Sequence, residues 1–333
     1  MTPMIVGLNG PTLSPVERAA FAASAPAGFI LFARNVIDPV QLRALTDDLR
    51  MLTGRDDLPI LIDQEGGAVA RLRPPEWPAF PAPARFAALY EQAPMSAIQA
   101  MRANGEAIGL TLAAAGITMN AAPMLDLAYP DADPALADRA LGAGPMQVAA
   151  LARAMLEGLA IAGVTGIVKH MPGHGRATVD PHHALPIITA TAAELDHDMA
   201  PFRTLAHARA GMTAHAVFTA WDAARPATLS PTVIDETIRG TIGFDGLLLS
   251  DDLHMNALTG DLVDRAMAAV AAGCDLALCC RATPDEAVTL AAALPPMSDR
   301  SRRRLHDAIS TRATDLPDPA AAIARCNALL ALA

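Results

Sequence analysis

Gly246-Leu247-Leu248-Leu249-Ser250-Asp251-Asp252-Leu253 is an unbroken apolar run that ends abruptly in two carboxylates. A short aliphatic run without polar alternation reads as a parallel strand covered on both faces. Charged groups at the end of such a strand are costly unless they are paired or used. The same design recurs at Asp63-Gln64-Glu65-Gly66-Gly67, which follows Pro59-Ile60-Leu61-Ile62, and at Lys169-His170-Met171-Pro172-Gly173-His174-Gly175, which follows Gly166-Ile167-Val168. Several polar strand ends from distant parts of the chain point to one shared pocket.

Working outward, apolar runs read as strands at about 4–8, 28–32, 59–63, 117–121, 165–170, 211–215, 246–250 and 274–279. Helix-like segments separate them. Ser14-Pro15-Val16-Glu17, Asp38-Pro39-Val40-Gln41 and Thr283-Pro284-Asp285-Glu286 each place a capping residue, a proline at the first helical position and an acid or amide at the third. Thr191-Ala192-Ala193-Glu194 is a plainer capping box. Strand, loop, capped helix, strand is the βαβ rhythm. Eight units predict a single (β/α)8 barrel domain over residues 1–333. The long intervals 64–116 and 171–210 leave room for elaborated loops on the catalytic face, and 281–333 reads as terminal helices around the barrel.

Composition bounds the function. The 333 residues are 52% hydrophobic but only 4% aromatic, so the core is aliphatic. A formal charge of −10 argues against general nucleic-acid binding, which needs a basic surface. The N-terminus lacks a basic region followed by a long apolar one, and no apolar run reaches membrane-spanning length. Cys274, Cys279, Cys280 and Cys326 lack metal-ligand spacing and read as free buried thiols. A cytoplasmic monomer acting on a small molecule, with no cofactor, no nucleic acid and no membrane partner, is the expectation.

Barrel active sites form at the C-terminal ends of strands. There Asp251 reads as a nucleophile or electrostatic stabiliser, or else as a helix N-cap with Asp252. Asp180-Pro181-His182 offers a carboxylate two residues from an imidazole, which could set its tautomer and support proton transfer. The alternative is an ordinary Asx-Pro turn, and His183 leaves the choice of ring open. The Pro-, Gly- and His-rich segment 172–186 reads as a mobile loop or a static one. Lys169, His170, Arg139 and Asp63 could bind hydroxyls, with Arg71 eight residues beyond Asp63; for each, a structural ion pair is the competing reading.

These residues carry a resemblance. The chain resembles family 3 glycoside hydrolases, in particular the bacterial cytoplasmic β-N-acetylhexosaminidases of cell-wall recycling. The match includes Gly28–Asn35, Asp63–Gly67, Lys169–Gly175, Asp180 with His182, Met212–His215, Pro226–Ser230 and Ser250–Leu253. The resemblance implies a single barrel with no cofactor and a retaining exo-β-N-acetylglucosaminidase. Asp251 then matches the family's nucleophile, His182 its acid/base group and Asp180 the partner of that histidine. Asp63, Arg71, Arg139, Lys169 and His170 match the residues that hold N-acetylglucosamine. The implied substrate is the β-1,4 bond between N-acetylglucosamine and anhydro-N-acetylmuramic acid in muropeptides. The chain departs from the family's usual pattern at Ala68 (Arg), Met171 (Phe), Arg176 (an acid), Pro181 (Ser) and Arg281 (Asn). Competing readings are a family 3 glycosidase of another sugar specificity, a metal-dependent barrel hydrolase using the histidines around 170–183 and His215, and a sugar-binding protein without catalysis.

Overall fold

The computed structural model describes residues 1–309 and 316–332. Eight parallel strands close a barrel: β1 (Thr2–Gly7), β2 (Pro26–Leu31), β3 (Ile60–Ile62), β4 (Met119–Asn120), β5 (Thr165–Met171), β7 (Ala210–Thr213), β10 (Leu247–Asp252) and β11 (Leu276–Cys279). Each pairs with its neighbours in chain order, and β1 returns to β11 through Met4 with Ala277 and Val6 with Cys279. All eight expected strands are present. β4 is the shortest, two residues long, and Pro123 just beyond it has no N–H for a ladder.

A separate three-stranded sheet was not foreseen. It joins β6 (Ile187–Ile188), β8 (Val217–Phe218) and β9 (Asp222–Pro226). Ile188, Leu195, Ala214, Phe218 and Val233 form the small apolar cluster associated with it. Two-residue strands leave no periodicity to read.

The expected helix starts are observed. Ser14, Thr191 and Thr283 form reciprocal capping boxes with Glu17, Glu194 and Glu286. Asp38 caps through the Gln41 N–H, while Gln41 reaches back to the Ile37 N–H. The interval 64–116 is largely helical rather than loop, with helices at Pro83–Gln92 and Pro94–Ala114. Terminal helices cover Pro284–Ala293, Asp299–Ala308 and Ala320–Leu330, while residues 310–315 and 333 lie outside the described residues.

The helix Asp299–Ala308 closes the bottom of the barrel. Met297, Leu305 and Ala308 join the interior cluster of Ile5, Leu61, Ile167, Leu247 and Leu276. The adjoining cavity of about 800 Å³ is lined by ion pairs centred on Asp275 and lies among residues that precede or enter the strands. In barrels that end serves stability rather than chemistry. The buried Asp275 carboxylate accepts from Arg239 Nη2 at 2.9 Å, Arg304 Nη1 at 3.2 Å, Ser301 Oγ at 2.7 Å and the Leu248 N–H at 2.9 Å. Removing one side of a buried pair leaves the other uncompensated. Asp275→Ala is therefore expected to lose about 3–5 kcal/mol of stability in urea unfolding. A loss under about 1 kcal/mol, the range of exposed pairs, would show that solvent already screens this network.

Candidate active site

Side chains at successive strand positions point to opposite faces. In β10, Leu247 and Leu249 belong to the barrel-interior cluster, so Asp251 continues their row at its upper end. Ile167 leads in the same way to Lys169, Leu61 to Asp63, Ile30 to Phe32, and Leu276 and Leu278 to Cys280. Each row is apolar until it reaches the mouth of the barrel. Together with Met212, these last positions line a cavity of about 420 Å³. All eight residues singled out from sequence line it: Asp63, Arg71, Arg139, Lys169, His170, Asp180, His182 and Asp251.

The neighbours of Asp251 hold it in place. Ser250 Oγ accepts from the Leu278 N–H at 2.9 Å, and Asp252 Oδ1 accepts from the Cys280 N–H at 3.1 Å. Both tie β10 to β11 on either side of Asp251. Asp252 Oδ1 also accepts from the backbone and ring nitrogens of His254, each at 3.1 Å. Burial raises the Asp252 carboxyl, but these hydrogen bonds outweigh it and hold the pKa below the usual carboxylate range. Asp251 Oδ1 accepts only from the next N–H, and Oδ2 lies 4.0 Å from His170 Nε2. The N-cap reading fails, because the next helix begins at Leu262 with Asp261 as its cap.

Five charged groups crowd one side of the cavity. Glu65, only 2% exposed, takes a bidentate contact from Arg139 (Nε 2.9 Å, Nη2 2.8 Å) and lies 2.7 Å from Lys169 Nζ. Asp63 accepts from Arg71 Nη2 at 3.0 Å and from Lys169 Nζ at 3.4 Å. Burial pushes the Asp63 carboxyl up, but Lys169 and then Arg71 outweigh it and bring it below the ordinary value. Lys169 and Arg139 do the same to Glu65. Arg71 also lies over the Phe32 ring, 5.5 Å from its centroid. The ion pairs expected as competitors to ligand binding therefore exist, and they occur within the cavity wall.

Next to this cluster, Asp126 organises two histidines. Its Oδ2 accepts from His170 Nδ1 at 2.6 Å, and its Oδ1 from the His174 N–H at 2.6 Å. His170 Nε2 is thereby directed toward Asp251. His174 is buried, and desolvation, only partly offset by Asp126, lowers its pKa from 6.5 to about 4. An unfolded chain takes up this proton near pH 6.5, whereas the folded one resists until about pH 4. The unfolded state thus binds more protons within that window. Stability is complete above about pH 6.5 and falls as the pH drops toward 4, by about 3 kcal/mol from this group. Urea midpoints of His174→Gln should depend less on pH across this window than those of the parent. Equal slopes would assign the acid sensitivity to other groups.

The Asp180-Pro181-His182 turn sits at the rim. His182 Nδ1 lies 2.7 Å from Asp180 Oδ1, and the His182 N–H donates to the same oxygen at 2.8 Å. His183 contributes only its backbone N–H, to the Asp180 carbonyl. Burial raises the Asp180 carboxyl, and the two contacts from His182 together outweigh it and bring it below its ordinary value. The His182 side chain is 62% exposed. Arg176, at the base of the same segment, faces away from the pair. It binds Asp198 Oδ2 at 2.7 Å and Tyr129 OH at 2.9 Å and stacks on the Tyr129 ring.

The sequence places Asp126 near the end of the fourth strand and offers His174 only as a metal ligand, and it assigns Glu65, Asp126 and His174 no catalytic or sugar-binding role. Glu65 stands two residues from Asp63 at the same strand end, a spacing that marks it as a mouth residue. Its place near the end of β4 marks Asp126 as a mouth residue, but its partners are 44 and 48 residues away and no local signal gives its role. His215 is not in the cavity wall, because its ring bridges Thr228 Oγ1 at 2.7 Å and the Asp252 carbonyl at 3.0 Å. Among the described residues, no three His, Cys, Asp or Glu side chains converge in a way that could hold a metal ion.

Comparison with known proteins agrees with this geometry. Residues 11–304 match the N-terminal domain of glycosyl hydrolase family 3. A beta-hexosaminidase of Bordetella avium (strain 197N) is 38% identical over 309 residues, spanning 90% of this chain and 87% of that protein. A beta-hexosaminidase of Alkalilimnicola ehrlichii is 39% identical over 312 residues, spanning 91% and 88%. NagZ from Neisseria gonorrhoeae, solved in complex with N-trifluoroacetyl-D-glucosamine, superposes with a TM-score of 0.90 at 29% identity, covering 100% of this chain and 98% of that one. From the strand-end carboxylates to the whole length of the barrel, the chain belongs to glycosyl hydrolase family 3.

Proposed function

We propose that this glycoside hydrolase is a retaining exo-β-N-acetylglucosaminidase that releases N-acetylglucosamine from muropeptides ending in anhydro-N-acetylmuramic acid. Asp251 is the nucleophile, His182 the acid/base group, and Asp180 its orienting partner. Asp63, Arg71, Arg139, Lys169 and His170 hold the sugar. The observation that carries the reading is that Asp251 and the Asp180–His182 pair line one cavity with that charged cluster. The similarity to beta-hexosaminidases and to a protein crystallised with an N-acylglucosamine supports the choice of sugar.

A retaining mechanism needs a nucleophile with a free lone pair facing the anomeric carbon and a separate proton donor. Asp63 and Glu65 are each paired with two cations, and Asp252 Oδ1 accepts from His254 and the Cys280 N–H, contacts that lower the nucleophilicity of all three. Asp251 has no cation in hydrogen-bonding contact, which preserves its nucleophilicity. His170 Nε2 lies 4.0 Å from the same carboxylate, outside hydrogen-bonding range. An imidazole paired with a carboxylate stands where most retaining enzymes use a second carboxyl group. Asp180 fixes Nδ1 as the protonated nitrogen and leaves Nε2 to exchange a proton with the glycosidic oxygen and later with water.

No described helix is long and apolar enough to cross a membrane. We place the enzyme in the cytoplasm as a monomer, in keeping with a recycling role. The deciding measurement compares aryl β-N-acetylglucosaminide with aryl β-glucoside as substrates. The proposal requires a strong preference for the first, followed by cleavage of a muropeptide. A preference for the glucoside would overturn the sugar assignment.

A further inference from the structure

We infer that Glu65 is a positioning residue for sugar recognition, setting which donors of Arg139 and Lys169 face the substrate. This deepens the proposed function and rests on its assignment of Arg139 and Lys169 to the sugar. Glu65 lies at the edge of the cavity and is almost wholly buried, so its lone pairs serve the protein. It accepts Arg139 Nε and Nη2 in the fork geometry that fixes the guanidinium plane. It also lies 2.7 Å from Lys169 Nζ.

Counting donors shows what this achieves. A guanidinium has five N–H groups; Glu65 uses one on Nε and one on Nη2, which turns the Nη1 side away from the carboxylate. An ammonium has three; Glu65 and Asp63 engage two of those on Lys169, and the third is left over. Both cations are therefore fixed while keeping donors for another acceptor. Arg71, Arg139 and Lys169 carry three positive charges against two negative ones on Asp63 and Glu65. Without Glu65 the excess rises, and Arg139 and Lys169, both held by one Glu65 oxygen, repel each other. An amide in place of this carboxylate would offer one acceptor oxygen where two are now used, so the fork cannot persist.

The test is Glu65→Gln with an aryl β-N-acetylglucosaminide, alongside inhibition by free N-acetylglucosamine. Active enzyme is counted from the burst of released phenol. KM and the product inhibition constant should rise together by about tenfold to a hundredfold, while kcat per active site changes much less. A merely structural role would lower the fraction of active enzyme and leave both constants unchanged, and that result overturns the inference. Glu65→Asp keeps the charge but shortens the reach and should fall between the two. It also carries the test should the Glu65→Gln variant fail to fold. In a cycle with Arg139→Ala, the double variant should bind better than the sum of the two single losses requires, because Glu65 acts in part through that side chain and in part through Lys169; full additivity counts against it. If the parent enzyme itself ignores N-acetylglucosaminides, the proposed function fails first, and that outcome is read from the parent alone.

Discussion

Asp251→Ala is expected to lower kcat/KM by about 10⁴-fold or more on every β-N-acetylglucosaminide, whatever its leaving group. Few groups are placed to substitute. Asp252 is the neighbour in sequence, but its Oδ1 is held by His254 and the Cys280 N–H and its carboxyl lies below the usual carboxylate range. Asp63 and Glu65 are neutralised by cations. The variant should fold, since Asp251 lies at the end of β10 and its Oδ1 accepts only the adjacent N–H. A fluorinated glycoside with a good leaving group should label Asp251 in the parent enzyme, and the product should retain its anomeric configuration. Label on Asp252, or an inverted product, would contradict the assignment. So would a variant with more than about a hundredth of the parent rate.

His182→Ala should produce a loss that depends on the leaving group. A sugar hydroxyl departs only as it is protonated, whereas a nitrophenolate leaves nearly unaided. Positioned general acid catalysis is worth about 10²–10⁴-fold, so kcat/KM on muropeptide should fall by that much and on a nitrophenyl glycoside far less. The comparison uses kcat/KM because that ratio reports steps through the first irreversible one, before water must be activated. Asp180→Asn should show a smaller loss of the same kind. It keeps an acceptor for the Nδ1–H at 2.7 Å but not the charge that favours imidazolium. His183→Ala should change little, as only its backbone is engaged. The opposite result for the two histidines would place the acid/base group on His183.

Much of this architecture could be read from the residues because barrel strands are both buried and parallel. Each strand appears as a short aliphatic run, and each change from aliphatic to charged marks the mouth. Leu249 to Asp251 and Ile167 to Lys169 show that change, and both charged residues line the cavity. Capping boxes at Ser14, Thr191 and Thr283 were equally legible, because their partners are three residues away. What stayed hidden depends on long-range pairing. Asp126 reads as one acid among several until its contacts with His170 and His174 are seen. Arg176, a departure from the family pattern, lies only six residues before His182 in the chain. Asp198, 22 residues further on, captures it instead. The strands β6, β8 and β9 are too short or too exposed to declare themselves, and they pair across segments that follow β5 and β7.

The two halves of the machinery differ in how firmly they are held. Asp251, Lys169 and Asp63 stand on or beside barrel strands, whose local opening costs nearly as much as unfolding the whole domain. The Asp180–His182 pair sits on an irregular rim segment, with the histidine largely in solvent. Such a segment is where a protease finds its substrate conformation. Brief digestion under native conditions should therefore cut within 176–186 while the barrel remains intact. The nicked enzyme would still bind N-acetylglucosamine and still be labelled at Asp251, but it would no longer turn over a substrate with a poor leaving group. Loss of activity on storage or heating would then begin at the rim, well before the fold gives way.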